Sequence, residues 1–316
     1  NQFHDIIPGS SIHRVYEEAE AAYESVIDTA EEIAGEAAGQ MTDGSEAITV
    51  FNSLSWERSA LVELPEDFAG AIDLDGASLP IQRVKDGALV EVTLPSCGWT
   101  TLRPAAPCDP ALAEHNSLKA TPHLLENECL RLEFNEYGEI ISLFDKETGR
   151  ELATGACNSL KMYKDVPTAW DAWDIDSTYA ANPVAMPEMA QITVAAEGPL
   201  VAKLRVKRQL HDSPMVQEIS LRRGSRRVDF ETEIDWRESH KLLKVAFPVD
   251  IHANEAIHEI QFGHIRRPNH RSRPFDADRF EVSNHKWTAL AEENRGCAVL
   301  NDCKYGFDVQ NNVLRL

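Results

Sequence analysis

Between residues 130 and 301, short runs rich in Val, Leu, Ile and Thr follow one another with no helical segment between them. This restricts the fold more than any other feature of the chain. The runs lie at 130–134, 140–144, 191–195, 201–209, 216–221, 227–235, 241–248, 257–262, 280–283 and 296–301. So many strands without intervening helices imply a large β-sandwich. A smaller group at 47–51, 59–64, 79–84, 89–94 and 99–102, punctuated by turn signals such as Asp75-Gly76 and Asp86-Gly87, predicts a small antiparallel β-domain. Pro104, Pro107, Pro110 and Pro122, set among alanines, mark a linker between the two groups.

The start of the chain differs in kind. Ile12, Val15, Ala19, Ala22, Val26, Ala30, Ile33 and Ala37 recur at steps of three and four, which is one stripe of a helix over 11–38. Glu17, Glu18, Glu20, Glu24, Asp28, Glu31 and Glu32 solvate its other faces. Ser10 or Ser11 can cap its first turn and Gly39 can close it. Such a stripe needs partner helices, and this chain offers none. Pairing with the same helix of a second molecule leaves a homo-oligomer open.

Charge narrows the partners. Acidic side chains outnumber basic ones 52 to 31, for a formal net charge of -21. That surface repels phosphate backbones and anionic lipids, so a neutral substrate is expected and neither a nucleic acid nor a membrane. The longest apolar runs fall far short of the roughly 20 residues a membrane helix needs. Cys97, Cys108, Cys129, Cys157, Cys297 and Cys303 are scattered without a C-x-x-C pair. That spacing argues against a zinc knuckle or a dense disulfide framework and suits thiols in a reducing compartment, the cytoplasm.

Two segments carry candidate chemistry. In Asn1-Gln2-Phe3-His4-Asp5-Ile6-Ile7-Pro8-Gly9-Ser10 an imidazole stands beside a carboxylate just before the helix. His4 could bind a metal while Asp5 accepts hydrogen bonds from a ligand, although structural polar pairs at helix starts have the same sequence. Trp170, Asp171, Trp173, Asp174 and Asp176 form a dense aromatic and acidic cluster. Indole rings stack on sugar faces while carboxylates hold sugar hydroxyls; the rival reading makes the tryptophans core plugs. His258, His264, His270 and His285, with Arg266, Arg267, Arg271 and Arg273, suggest a second metal or an anion site, but they lack the spacing of a metal motif and read better as a solvated loop over 265–279 whose arginines offset local acid. Asp145-Lys146-Glu147-Thr148-Gly149 has the composition of a hairpin turn with Gly149 free to take a positive φ, and needs no catalytic role.

The opening decapeptide resembles the segment that joins the catalytic domain to the helical region in family 38 glycoside hydrolases, the alpha-mannosidases. Within the family it looks most like the cytosolic and bacterial subgroup. Phe51-Asn52-Ser53-Leu54-Ser55-Trp56-Glu57-Arg58 is similar to the opening strand of the family's first β-domain. The segment from Leu143 to Glu151 is similar to the hairpin that starts its large one. The Trp170 to Asp176 cluster, Phe262-Gly263, His285-Lys286-Trp287 and the run from Leu300 to Asp308 extend the resemblance along nearly the whole chain, in the family's order.

The resemblance implies a retaining glycosidase, in which one carboxylate forms a glycosyl-enzyme and a second acid protonates the leaving oxygen. It implies that His4 is a ligand of an active-site zinc, or of a similar divalent ion such as cobalt, and that Asp5 touches sugar hydroxyls. It also favours Trp173 and Asp174 as a wall of the sugar pocket. The nucleophile, the acid and the family's H-x-D motif would lie in an α/β domain upstream of Asn1. No catalytic residue is then expected in this chain, no metal is expected bound to it alone, and by itself it should not turn over an alpha-mannoside or oligosaccharide substrate. The expected architecture is mainly β. Residues 1–43 end the catalytic region and supply one helix of a truncated bundle, 44–104 form a small β-sandwich and 105–121 a linker. Residues 122–316 form a large mutarotase-like β-supersandwich, truncated at its C-terminal end. The rivals are a non-catalytic carbohydrate-binding β-sandwich and a mutarotase-like epimerase; the second would gain if His258 or His264 lay in a cleft opposite a carboxylate.

Overall fold

The structure is a computed structural model, and it describes residues 5–6, 9–42, 46–66, 68–84, 87–106, 117–171 and 173–316. The chain is mainly β, with one long helix near its start, and divides into two compact units. The first comprises Asn1–Asn116, Pro167–Ile175 and Gly198–Leu200.

The predicted amphipathic stripe is a helix, His13–Met41, and none of its residues is buried. Val26 and Ile33 of the stripe are 65% and 63% exposed. Its ends differ from expectation. The N-cap is Ile12, with no side-chain cap; the Ser11 N–H donates to the Tyr16 hydroxyl at 3.1 Å and the Ser10 hydroxyl turns back to the Asp5 carbonyl. Gly39 stays helical, and the extended backbone of Thr42 ends the helix instead. Among the described residues no helix is long and apolar enough to cross a membrane.

The small β-domain of this unit has two antiparallel sheets. One orders its strands Ile48–Asn52, Gly98–Ala105, Gly70–Ile72, Ser78–Leu79, and the other Arg58–Leu64, Gly87–Leu94, Ile81–Val84. Alternation along Gly87–Leu94 buries Ala88, Val90, Val92 and Leu94, which pack with Leu64, Phe68, Ala71 and Leu102. The run expected at 79–84 is split at Pro80, and its halves join different sheets. Proline has no amide hydrogen to give to a ladder, so the chain changes sheets there. Asn52, in the motif at 51–58, closes the neighbouring turn: its amide donates to the carbonyls of Trp56 and Pro95 at 2.9 and 2.8 Å and its oxygen accepts the Leu54 N–H.

The second unit comprises Ser117–Val166, Asp176–Glu197 and Val201–Leu316. Its longest sheet orders Pro183–Val184, Ser159–Lys164, Lys241–Pro248, Val313–Arg315, Gly306–Gln310, Val282–Ser283. A four-stranded sheet runs Gln191–Glu197, Val201–Leu210, Ser213–Arg222, Val228–Ile234, and another runs Gly263–Pro268, Glu255–Ile260, Trp287–Ala291, Gly296–Leu300. A five-stranded sheet runs Arg150–Glu151, Ile140–Asp145, Leu130–Phe134, Leu124–Glu126, Lys119–Thr121. The core lies between inward faces of these strands, with Leu204, Val206 and Leu210 against Met215, Ile219, Leu221, Leu125 and Leu132. Gly149 takes φ +67 in the hairpin turn, as its sequence predicts. Asn127 is fully buried: its amide donates to the carbonyls of Arg222 and Ser225 and its oxygen accepts the N–H groups of Cys129 and Leu130.

Cys97, Cys129, Cys157, Cys297 and Cys303 are free thiols, and Cys108 lies outside the described residues. Burial pushes the Cys157 thiol up to about 12, which leaves it unreactive at neutral pH.

Candidate functional site

His4, the expected metal ligand, lies outside the described residues. Asp5 is exposed, and its carbonyl accepts the Ser10 N–H at 3.0 Å. Gly9, at φ +83, donates its N–H to the Ile6 carbonyl within the same turn. A side chain at that φ would be strained, so glycine is what allows the chain to fold back before the helix begins. The Asp5 backbone is therefore tied into the turn at the helix entrance.

The tryptophan cluster is built on a second turn of the same unit. The Trp170 carbonyl accepts the N–H groups of Trp173 and Asp174, each at 3.0 Å, and the Asp174 carboxylate accepts the Ile175 N–H at 3.0 Å. Trp170 sits at φ +64 with 75% of its surface exposed, and Trp173 is 49% exposed. Neither indole is a core plug within this unit. A bulky side chain in the left-handed region costs on the order of 1 to 3 kcal/mol, and such strain clusters at binding sites. Asp171 and Asp174 flank the indoles and are exposed, while Asp176 falls in the second unit, where its carbonyl accepts the Tyr179 N–H.

Sequence reasoning missed a further aromatic of this kind. The strand expected over 257–262 ends at Ile260, and Phe262 stands fully exposed at φ +61 at the tip of the hairpin that follows. Its signal was available, since an apolar residue beside Gly263 after a strand marks a turn tip rather than a strand end.

The second unit also holds a buried charged centre. Lys244 donates to Glu281, to Asp308 at 2.5 Å and to the Tyr179 hydroxyl at 3.3 Å. The Tyr179 hydroxyl donates to Glu281 at 2.6 Å and Arg315 donates to the other Asp308 oxygen at 2.6 Å. Burial, then the Glu281 carboxylate, drives the Tyr179 phenol well above its ordinary range, so it stays protonated. These residues are dispersed between 179 and 315, and the one local hint is a lysine in phase with Ala246 on the inward face of Lys241–Pro248.

The solvated loop expected over 265–279 is a correction. Gly263–Pro268 is a strand paired with Glu255–Ile260, and Pro274–Ala277 is a helical turn capped by the Arg273 and Asp276 side chains. The segment is polar because the first four residues of the strand are exposed, while Arg267 and Pro268 at its end border a charged cleft. His258 is 1% exposed, shares a hydrogen bond with the Thr288 hydroxyl at 3.1 Å, and is pushed down to about 4 by burial and then by Arg267. It borders the same cleft as Asp276 and Asp308. His258 thus shares a cleft with two carboxylates, but Asp276 is bonded to Arg273 and Asp308 to Lys244 and Arg315.

Residues 125–316 match the family model described as the glycosyl hydrolases family 38 C-terminal domain, and residues 1–41 match that of the alpha mannosidase middle domain. The chain is similar to alpha-mannosidase 2C1 of Homo sapiens, 34% identical over 329 residues that cover 100% of this chain and 30% of that protein. It is similar to alpha-mannosidase G of Dictyostelium discoideum, 30% identical over 350 residues that cover 97% of this chain and 32% of that protein. Thus the chain spans about a third of the length of these relatives. Its fold is similar to that of the crystal structure of an alpha-mannosidase from Enterococcus faecalis V583, with TM-score 0.75 and 15% identity over 96% of this chain and 44% of that one.

Proposed function

The chain belongs to glycosyl hydrolase family 38, and on that premise we propose that it forms part of a retaining alpha-mannosidase of the cytoplasm. The observation that carries this reading is 34% identity to an alpha-mannosidase over the whole chain. We assign His4 as one ligand of a zinc or similar divalent ion, Asp5 as an acceptor for sugar hydroxyls, and Trp173 and Asp174 as a wall of the sugar pocket. The exposed indoles and the turn that presents them support the last assignment. When bound, the metal would grip adjacent sugar hydroxyls. Among the described residues no group of three or more His, Cys, Asp or Glu is placed to hold a metal ion, so only His4 is assigned from this chain. The nucleophile and acid are placed outside it, and the domain division proposed is 1–43, 44–104, a linker at 105–121, and 122–316.

An assay on a chromogenic alpha-mannoside with added zinc or cobalt tests this division of labour. Turnover is expected from the intact protein, and none above a heat-killed control from the 316-residue chain. An intact protein inactive with either metal would remove the mannosidase reading, and an active chain would remove the placement of the two carboxylates. A non-catalytic sugar-binding role would share the exposed indoles but give binding without hydrolysis.

Trp173→Ala in the intact protein separates a pocket wall from a packing role. Loss of a stacking surface worth about 1 to 1.5 kcal/mol lowers kcat/KM roughly tenfold, mostly through KM. The melting temperature should move far less than the roughly 3 to 5 kcal/mol cost of deleting a buried tryptophan would move it. A large thermal shift with unchanged KM would contradict the assignment.

A further inference from the structure

The cleft bordered by Arg267, Arg271 and Arg279 has an unbalanced charge. It lies within the second unit, is also lined by His258, His270, Asp276 and Asp308, and has a volume of about 30 Å³. Its two carboxylates are already neutralised from outside the cleft. Asp276 takes a two-pronged contact from Arg273 at 2.9 and 3.0 Å, and Asp308 is shared between Lys244 and Arg315. Among the described residues, Arg267, Arg271 and Arg279 form no ion pair with any carboxylate. The Nη1 of Arg267 is shut off from solvent and has no hydrogen-bond partner.

An unpaired buried donor costs about 1 to 3 kcal/mol, more when charged. Burial first, and then the nearby Arg279, lower the Arg267 guanidinium from its ordinary range. A bound anion would relieve both costs.

We propose that this cleft binds a small tetrahedral oxyanion of the phosphate class. Guanidinium forks match phosphate oxygens two at a time, and three of them around one cleft offer more donors than a planar carboxylate can accept. The narrow interior of the cleft, about 30 Å³, takes a small ion or the terminal group of a larger molecule. A polymeric phosphate backbone is disfavoured because the net charge of -21 repels it at long range, whereas a single small ion meets only the local positive field. The ion can be free or esterified, since both present the same oxygens.

Calorimetric titration of the intact protein with inorganic phosphate and with glycerol 1-phosphate, at ionic strength matched with chloride, tests the site. Saturable binding of at least one is expected, together with a rise in melting temperature that chloride does not give. Equal binding of the two indicates the free ion, preference for the ester indicates an esterified ligand, and either sustains the site. Arg267→Met should weaken binding at least about tenfold without lowering the melting temperature in chloride, because Nη1 has no bond to lose. Arg150→Met, at an exposed arginine of another sheet, should leave binding unchanged. If Arg267→Met does not fold, Arg279→Met, at an exposed residue, reads the same loss. No binding of either phosphate above the chloride control, or undiminished binding in the arginine variants, would overturn the proposal.

Discussion

Lys244→Met is expected to destabilise the large β-domain by about 3 to 5 kcal/mol, among the largest single-residue effects in the chain. The lysine is 3% exposed and is the cation for Glu281 and for one oxygen of Asp308. Methionine fills most of the volume but leaves Glu281 with only the Tyr179 hydroxyl, and Asp308 with only Arg315. Two carboxylates in a site largely closed to water then lose the charge that offsets their desolvation. Urea unfolding monitored on the β-signal should show a lower midpoint at unchanged slope. Adding Glu281→Gln to Lys244→Met should recover part of the loss, since a neutral amide needs no cation. A single variant within about 1 kcal/mol of wild type would show that the network adds little beyond packing.

That network also marks where sequence reasoning stops. The long helix, the small β-domain and most of the longer strands were legible, because apolar positions there keep a period of 3.6 or 2 and turns carry Gly or Pro. Strands at 159–164, 263–268, 287–291 and 306–310 were missed, as were several of two or three residues. Gly263–Pro268 carries His264, Arg266 and Arg267 around a lone Ile265 and is exposed over its first four residues, so no apolar alternation marks it. Trp287–Ala291 and Gly306–Gln310 are short, and Asp308 places a charge on an inward phase. Arg208, likewise, occupies the inward phase of Val201–Leu210, where its guanidinium donates to the carbonyls of Met186 and Glu188 and lies over the Tyr137 ring. A periodicity argument assigns such residues to solvent. Only the fold reveals that a partner waits for them.

The candidate site was legible to a different degree. The density of Trp and Asp over 170–176 suited a sugar pocket or core plugs alike, the resemblance favoured the pocket, and the structure adds the exposure of both indoles and the backbone turn behind them. Neither could be read from composition, because Trp170 reaches φ +64 through the hydrogen bonds of its own turn rather than through a glycine. An anion site among the arginines over 266–273 was legible only as an alternative to a solvated loop. Its arginines were visible, but whether they had carboxylate partners depended on Lys244, Arg273 and Arg315 claiming Asp308 and Asp276 first.

His4→Ala in the intact protein is the second large effect. If His4 is a metal ligand, its loss opens the coordination shell, and the metal leaves or misplaces the hydroxyls it grips. Zinc content should fall well below one per molecule and kcat/KM by more than about 100-fold, since even outer-shell changes cost 10- to 100-fold. Thermal unfolding of the β-domains should stay within about 1 kcal/mol of wild type, because among the described residues their cores are built from residues 48–102 and 118–316. Addition of excess zinc or cobalt should restore part of the activity if the remaining ligands still form a weakened site.

The most direct measurement is an anomalous difference map at the zinc edge from crystals of the intact protein. The expected result is a peak at bonding distance, about 2.0 to 2.1 Å, from an imidazole nitrogen of His4. A zinc peak elsewhere in an active enzyme, with His4 bound to no metal, would contradict the placement of this chain at the metal site.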